Sequence, residues 1–242
     1  VAGLSDEAAA TIAADKRVAD IQRDEQFMLD PITNADAMNA GDGMVDSPSD
    51  PATAFFYPRQ WNMRAIQADE AWAAGRLGSA GVTVAILDSG IDYAHANLAG
   101  LVDLGRSISF VPEDDALVDL YFPGRHYVTD LYFHGTHVAA TVASNALAAA
   151  GVTSNTTLMG VKVCSVYGTC PFSAVIGGVL YAADAGADVA NMSLGGGFTK
   201  AQQGWYVGFI NRVFNYANGA GMTVVVSAGN NALDLDHAPN LY

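Results

Sequence analysis

Four short apolar runs constrain the fold of this chain more than any other feature: residues 82–87, 158–163, 188–193 and 222–228. Each is valine-rich and bounded by Gly or Asp, the pattern of parallel strands covered on both faces. Between the runs lie helical stretches. Val175, Val179 and Ala183 recur every four residues, as do Trp205, Phe209 and Val213, so each stretch carries one apolar stripe. The alternation predicts an α/β fold whose mostly parallel central sheet is flanked by helices in three layers. In such folds ligands gather at the carboxyl ends of the strands.

The sequence upstream reads differently. Ser5 is placed to cap a helix, Asp6 and Glu7 suit its first turn, and the alanine-rich residues 8–14 continue it. A less helical stretch through Val18 and Ile21 ends in Phe27-Met28-Leu29, read as a strand. Three units follow: residues 1–30, a linker over 31–57 rich in Asn, Asp, Gly, Pro and Ser, and a domain over 58–242. Within the linker, Asp42 to Asp46 resembles the tail of a calcium loop. Met38 and Ala40 stand where oxygen ligands are needed, which favours a polar turn.

Composition removes several functions. The apolar runs are far shorter than the roughly 20 residues that cross a bilayer, so no membrane partner is expected. With 25 acidic residues against 11 basic ones, a formal charge of -14 and no Lys/Arg cluster, nucleic acid is excluded as well. Cys164 and Cys170 fit a short disulfide or two free thiols equally, and provide only half the ligands of a structural zinc site.

Three segments carry chemistry. Asp88 follows an apolar strand in Ile86-Leu-Asp-Ser-Gly-Ile-Asp92, where a carboxylate serves either a reaction or the cap of the next helix. His134 opens His134-Gly-Thr-His-Val-Ala at the start of a small-residue helix. A general base must be neutral and fixed in one tautomer, which a nearby carboxylate achieves by accepting the Nδ1 proton. His134 and His137 could instead form half a metal site, and His137 is read as a hydrogen-bonded buried histidine. Asn230, in Val224-Val-Val-Ser-Ala-Gly-Asn230, either donates to a developing oxyanion or merely tolerates a left-handed turn.

Taken together and in order, DSGID, HGTHVA and SAGN resemble the Asp, His and oxyanion-asparagine blocks of the subtilisin-like serine peptidases, the subtilases. Val161-Lys-Val163 and Asn191-Met-Ser-Leu-Gly-Gly196 extend the resemblance, which covers about residues 60–230. It implies that Asp88 orients His134, that His134 is base and then acid, and that Asn230 donates to the tetrahedral oxyanion. It further implies that Ser193, Leu194 and Gly195 pair with the substrate backbone, with Gly168 near the opposite edge strand. A Cys164–Cys170 bridge would stiffen that edge. Substrates would be peptides or proteins, bound by strand addition.

The same resemblance makes residues 1–30 the end of an inhibitory propeptide whose tail lies in the cleft, cut between Met28 and Gln60, in a secreted, extracellular zymogen. The chain begins at Val1 and stops twelve residues past Asn230, so it is expected to be truncated at both ends and to lack the nucleophile. None of Ser89, Ser193 and Ser227 stands in a GTS-type block. The fragment is therefore expected to be inactive and to expose apolar surface. No cofactor is expected: Asn97 replaces a common calcium-binding Asp, and residues 148–157 lack a ligand-rich insert. Residues 111–132 read as a longer, solvated acidic loop, with Glu113-Asp-Asp115 favouring basic substrates if it borders the cleft. The alternatives are a non-catalytic peptide-binding homologue and a nucleotide-binding domain. The latter is disfavoured because no GxGxxG or GxxxxGK[ST] follows a strand.

Overall fold

The computed structural model describes residues 3–29, 50–197, 199–232, 234 and 237. The Asp42–Asp46 turn lies outside them. In chain order the strands are β1 (Gln26–Met28), β2 (Thr83–Asp88), β3 (Ile108–Ser109), β4 (Thr157–Lys162), β5 (Thr169–Pro171), β6 (Val189–Met192) and β7 (Thr223–Val226). The helices are α1 (Asp6–Ala13), α2 (Trp61–Ala65), α3 (Ala68–Ala73), α4 (Pro112–Tyr121), α5 (His134–Val142), α6 (Phe172–Asp184) and α7 (Lys200–Gly219).

Five strands form one parallel sheet in the order β3-β4-β2-β6-β7. β2 lies at its centre and is buried at all six positions, as a run without polar alternation requires. Successive side chains point to opposite faces. Ala85 and Leu87 join α6 and α7 residues such as Val175, Val179 and Val213 in one core. Val84 and Ile86 join Ala139 and Ala143 around α5 in the other. These are the three layers. Each fully buried Leu, Ile or Val contributes roughly 1.5–3 kcal/mol relative to exposure, so the alternation along β2 alone commits the chain to having helices on both faces.

Two expectations need correction. Residues 111–132 are not simply a solvated loop: Pro112 starts α4, and Asp114 in its first turn is buried, paired with the equally buried Lys162 (Asp114 Oδ2 to Lys162 Nζ, 2.8 Å). That pairing neutralises one of the three acids that would have favoured basic substrates. The second correction concerns β7. As an edge strand it has two half-exposed valines, Val225 and Val226, because no described residue covers that part of the sheet.

Outside the sheet, Ser5 caps α1 as expected, its hydroxyl accepting from Ala8 N–H, and α1 buries none of its residues. β1 pairs antiparallel with β5 in a separate two-stranded ladder, Phe27 opposite Cys170. Leu29 continues it by donating its N–H to the Gly168 carbonyl at 2.8 Å.

Candidate active site

Because the sheet is parallel, the carboxyl ends of β2, β4, β6 and β7 share one edge. Asp88 ends β2. Residues Ser193 to Gly195 follow β6, and Asn230 follows β7. Asp88 is completely buried, and its Oδ1 accepts the Ser89 N–H at 2.7 Å. His134 opens α5, and its Nδ1 lies 2.7 Å from Asp88 Oδ1 and 2.9 Å from Oδ2. With Nδ1–H donating to the carboxylate, the neutral ring carries its lone pair on Nε2. The His134 side chain keeps 12% of its surface exposed, so the imidazole is held from within yet reachable from outside.

The two blocks meet at van der Waals limits. A Cβ on Gly135 would lie 2.1 Å from the Gly90 carbonyl oxygen, and one on Gly90 would lie 2.5 Å from the Val128 carbonyl. Gly90 also adopts φ 115°, which L side chains rarely take. The glycines of DSG and HGT are therefore the price of bringing Asp88 within hydrogen-bond reach of His134.

Sequence reasoning overlooked the group that clamps this junction. Asp130 Oδ1 accepts from the Ser89 hydroxyl (3.0 Å) and from Tyr132 and Phe133 N–H (2.9 Å each). Its Oδ2 accepts from Thr136 N–H (2.9 Å) and from the Thr136 hydroxyl (2.6 Å). The Ser89 hydroxyl in turn accepts from Gly135 N–H at 2.9 Å. Phe133, directly before the histidine, has φ 84°, a left-handed conformation costly for an aromatic residue and stabilised by its bond to Asp130. The signal was available as a carboxylate ahead of a predicted helix start, an Asx-turn position.

A second buried ion pair braces the neighbouring strand. Lys162, opposite Asp88 in the β2–β4 register, donates to the Thr129 carbonyl at 3.0 Å and pairs with Asp114. Asp114 Oδ1 accepts from Val166 N–H at 3.1 Å, inside the loop closed by Cys164 and Cys170. Those cysteines are disulfide-bonded in the structure. Gly168 within the loop has φ 72° and packs beside the Tyr132 ring, which stacks on Phe133.

Across from this loop, Leu194, Gly195 and Gly196 line a partly open apolar pocket of about 250 Å³ together with Phe172, Val175 and Ile210. The Phe27 ring is part of the same lining, so close to Gly196 that a Cβ there would lie 2.5 Å from the ring. Asn191 Nδ2 donates to the Ser193 hydroxyl. Asn230 is exposed, on a turn where Gly229 takes φ 82°. His137 is exposed on α5 and not buried, because its position on the helix faces away from the sheet-side core that takes Ala139 and Ala143. Ser89 and Ser227 are bonded to Asp130 and to the Leu194 carbonyl respectively.

Asn97 is buried, its amide donating to the Ala149 carbonyl and its oxygen accepting from Ala148 N–H.

A buried Asp bonded to a helix-opening His at the carboxyl edge of a parallel sheet fits the subtilase class that the sequence blocks resemble. The chain belongs to the subtilase family, whose model matches residues 79–241. Among similar curated proteins are the thermophilic serine proteinase of Bacillus sp. strain AK1, 33% identical over 192 residues, and thermitase of Thermoactinomyces vulgaris, 33% identical over 196. These alignments cover 79% and 81% of this chain and 43% and 62% of the relatives. The alkaline serine exoprotease A of Vibrio alginolyticus is 32% identical over 239 residues, 97% of this chain and 37% of that protein. The chain thus spans between about a third and two thirds of the length of these relatives. In fold it is similar to the epidermin leader peptide processing serine protease EpiP of Staphylococcus aureus, with a TM-score of 0.64, 24% identity, and coverage of 80% of this chain and 47% of that one.

Proposed function

We propose that these residues form the Asp–His half of a secreted, extracellular subtilisin-like serine endopeptidase, together with the end of its inhibitory prosegment. The observation that carries the reading is the bond between buried Asp88 and His134 Nδ1, 2.7 Å long, which prepares Nε2 to take a proton. The serine nucleophile is supplied by sequence outside these 242 residues. His134 accepts its proton as the hydroxyl attacks the scissile carbonyl, while Asp88 stabilises the imidazolium. Asn230 donates to the oxyanion of the tetrahedral intermediate. His134 then protonates the leaving amine, and an acyl-enzyme remains for water to hydrolyse.

The substrate backbone lies between β5 with Gly168 on one side and Ser193-Leu194-Gly195 on the other. Residues 26–29 support this assignment, since they pair antiparallel with β5 and present Phe27 to the apolar pocket, as a bound peptide would. The alignment to the Vibrio protein over 97% of the chain extends into the same N-terminal region. Maturation cuts between Met28 and Gln60.

A second reading, a peptide-binding homologue without catalysis, is favoured by one fact: Ser89, Ser193 and Ser227 are each hydrogen-bonded to another group, Asp130, Asn191 and the Leu194 carbonyl respectively. Treatment of the complete protein with a fluorophosphonate separates the two. Stoichiometric labelling of one serine, abolished in His134→Ala, supports the peptidase. Absence of labelling in a folded, peptide-binding protein supports the binder.

A further inference from the structure

Residues 23–29 run past the start of α6 and along β5, with β1 at Gln26–Met28, and two of their side chains contact features of that surface. The Phe27 ring lines the apolar pocket, edge-on to Phe172 with 6.0 Å between centroids. Three residues earlier, the Asp24 carboxylate accepts the Ser173 N–H at 2.9 Å and also the Ser173 hydroxyl. Ser173 is the second residue of α6, and Pro171 at the N-cap offers no side-chain acceptor. The Phe172 N–H goes to the Glu25 carbonyl at 2.8 Å, and the Tyr206 hydroxyl donates to the Arg23 carbonyl.

These first-turn donors of α6 are therefore satisfied by the strand and not by α6's own cap. The carbonyl contacts are indifferent to sequence, whereas a carboxylate alone brings negative charge to the positive end of the helix dipole. Direction follows from the other end of the strand. Leu29 bonds Gly168, Gly168 packs on Tyr132, and Tyr132 lies two residues before His134. The strand thus approaches the Asp88–His134 pair from α6.

We propose that the cleft selects peptide substrates carrying a carboxylate three residues before an aromatic side chain, with the carboxylate held by the N–H and hydroxyl of Ser173. This rests on the peptidase reading above and adds a sequence preference to it. A formal charge of -14 opposes acidic peptides at long range, so the preference must come from this contact. It is also tied to register, because neighbouring side chains on a strand point to opposite sides.

The test is cleavage by the complete enzyme of peptides that share Phe-Met-Leu in the order of residues 27–29. One carries Asp in the place of Asp24 and Ala in the place of Glu25, a second carries Asn for that Asp, and a third has the Asp moved one place to the position of Glu25. The first should be cleaved with kcat/KM about fivefold above the other two, the usual scale of a charged cap. Ser173→Ala should reduce the advantage to about twofold, since the backbone N–H remains. Equal kcat/KM for the Asp and Asn peptides would overturn the selectivity and leave the peptidase standing. Cleavage of none, by wild type and His134→Ala alike, would overturn both. Hydrogen exchange in the 242-residue chain reads the same contact without catalysis: Asp24→Asn should speed exchange several-fold at the Phe172 and Leu29 amides, and unchanged rates would count against the proposal.

Discussion

Asp130 illustrates how much of the Asp88–His134 geometry is set by a residue outside the pair. Its five accepted bonds join the residue after Asp88 to the turn before His134 and to the first turn of α5. Asp130→Asn keeps the volume but replaces one acceptor oxygen with a donor, leaving either the Tyr132 and Phe133 N–H groups or the Thr136 N–H without a partner, at about 1–3 kcal/mol each. We expect kcat of the complete enzyme to fall at least tenfold with KM within twofold, accompanied by a lower Tm; an unchanged kcat in steady-state assays would refute a positioning role. A nearby histidine adds a pH-dependent contribution to stability. Burial pushes the His126 imidazole down from its ordinary range, and its Nδ1 accepts the Val128 N–H at 3.1 Å, a bond that requires the lone pair. The unfolded chain binds that proton more readily, so this contribution is complete above about pH 6.5 and is lost as the pH falls from there towards the lowered folded value. A denaturant series across pH 5–8 should show that slope, flattened in His126→Gln.

At the scale of elements, the sheet strands were legible because burial on both faces leaves a continuous apolar run. The four runs locate β2, β4, β6 and β7 to within one or two residues. Asp88 and His134 were legible for a related reason: each must stand at a strand end or helix start, next to a glycine that permits the close approach. α4 was missed. Its polar first turn, Glu113-Asp-Asp115, looks the same in sequence whether it faces water or, as at Asp114, a buried lysine from another strand. His137 failed for the converse reason, since helical phase decides whether a histidine near a buried one is itself buried. The Lys162–Asp114 pair connects α4, β4 and the disulfide-closed loop, so Asp114→Ala should strand a buried cation and cost about 3–5 kcal/mol. Chemical denaturation checks this, and Asp114→Ala with Lys162→Met should recover much of the loss. A double variant no more stable than the single one would contradict it.

For the whole molecule, three layers bring Asp88, His134 and residues 193–195 to the carboxyl edge of a parallel sheet, while β1 pairs with β5. Family membership, fold and the Asp88–His134 bond support the proposed peptidase chemistry. The most direct measurement is peptide hydrolysis by the complete enzyme and its His134→Ala variant, compared at equal concentration with Tm recorded for both. The account predicts a fall in kcat on the order of a thousandfold or more, with KM within twofold and Tm nearly unchanged. Undiminished hydrolysis by His134→Ala would contradict it.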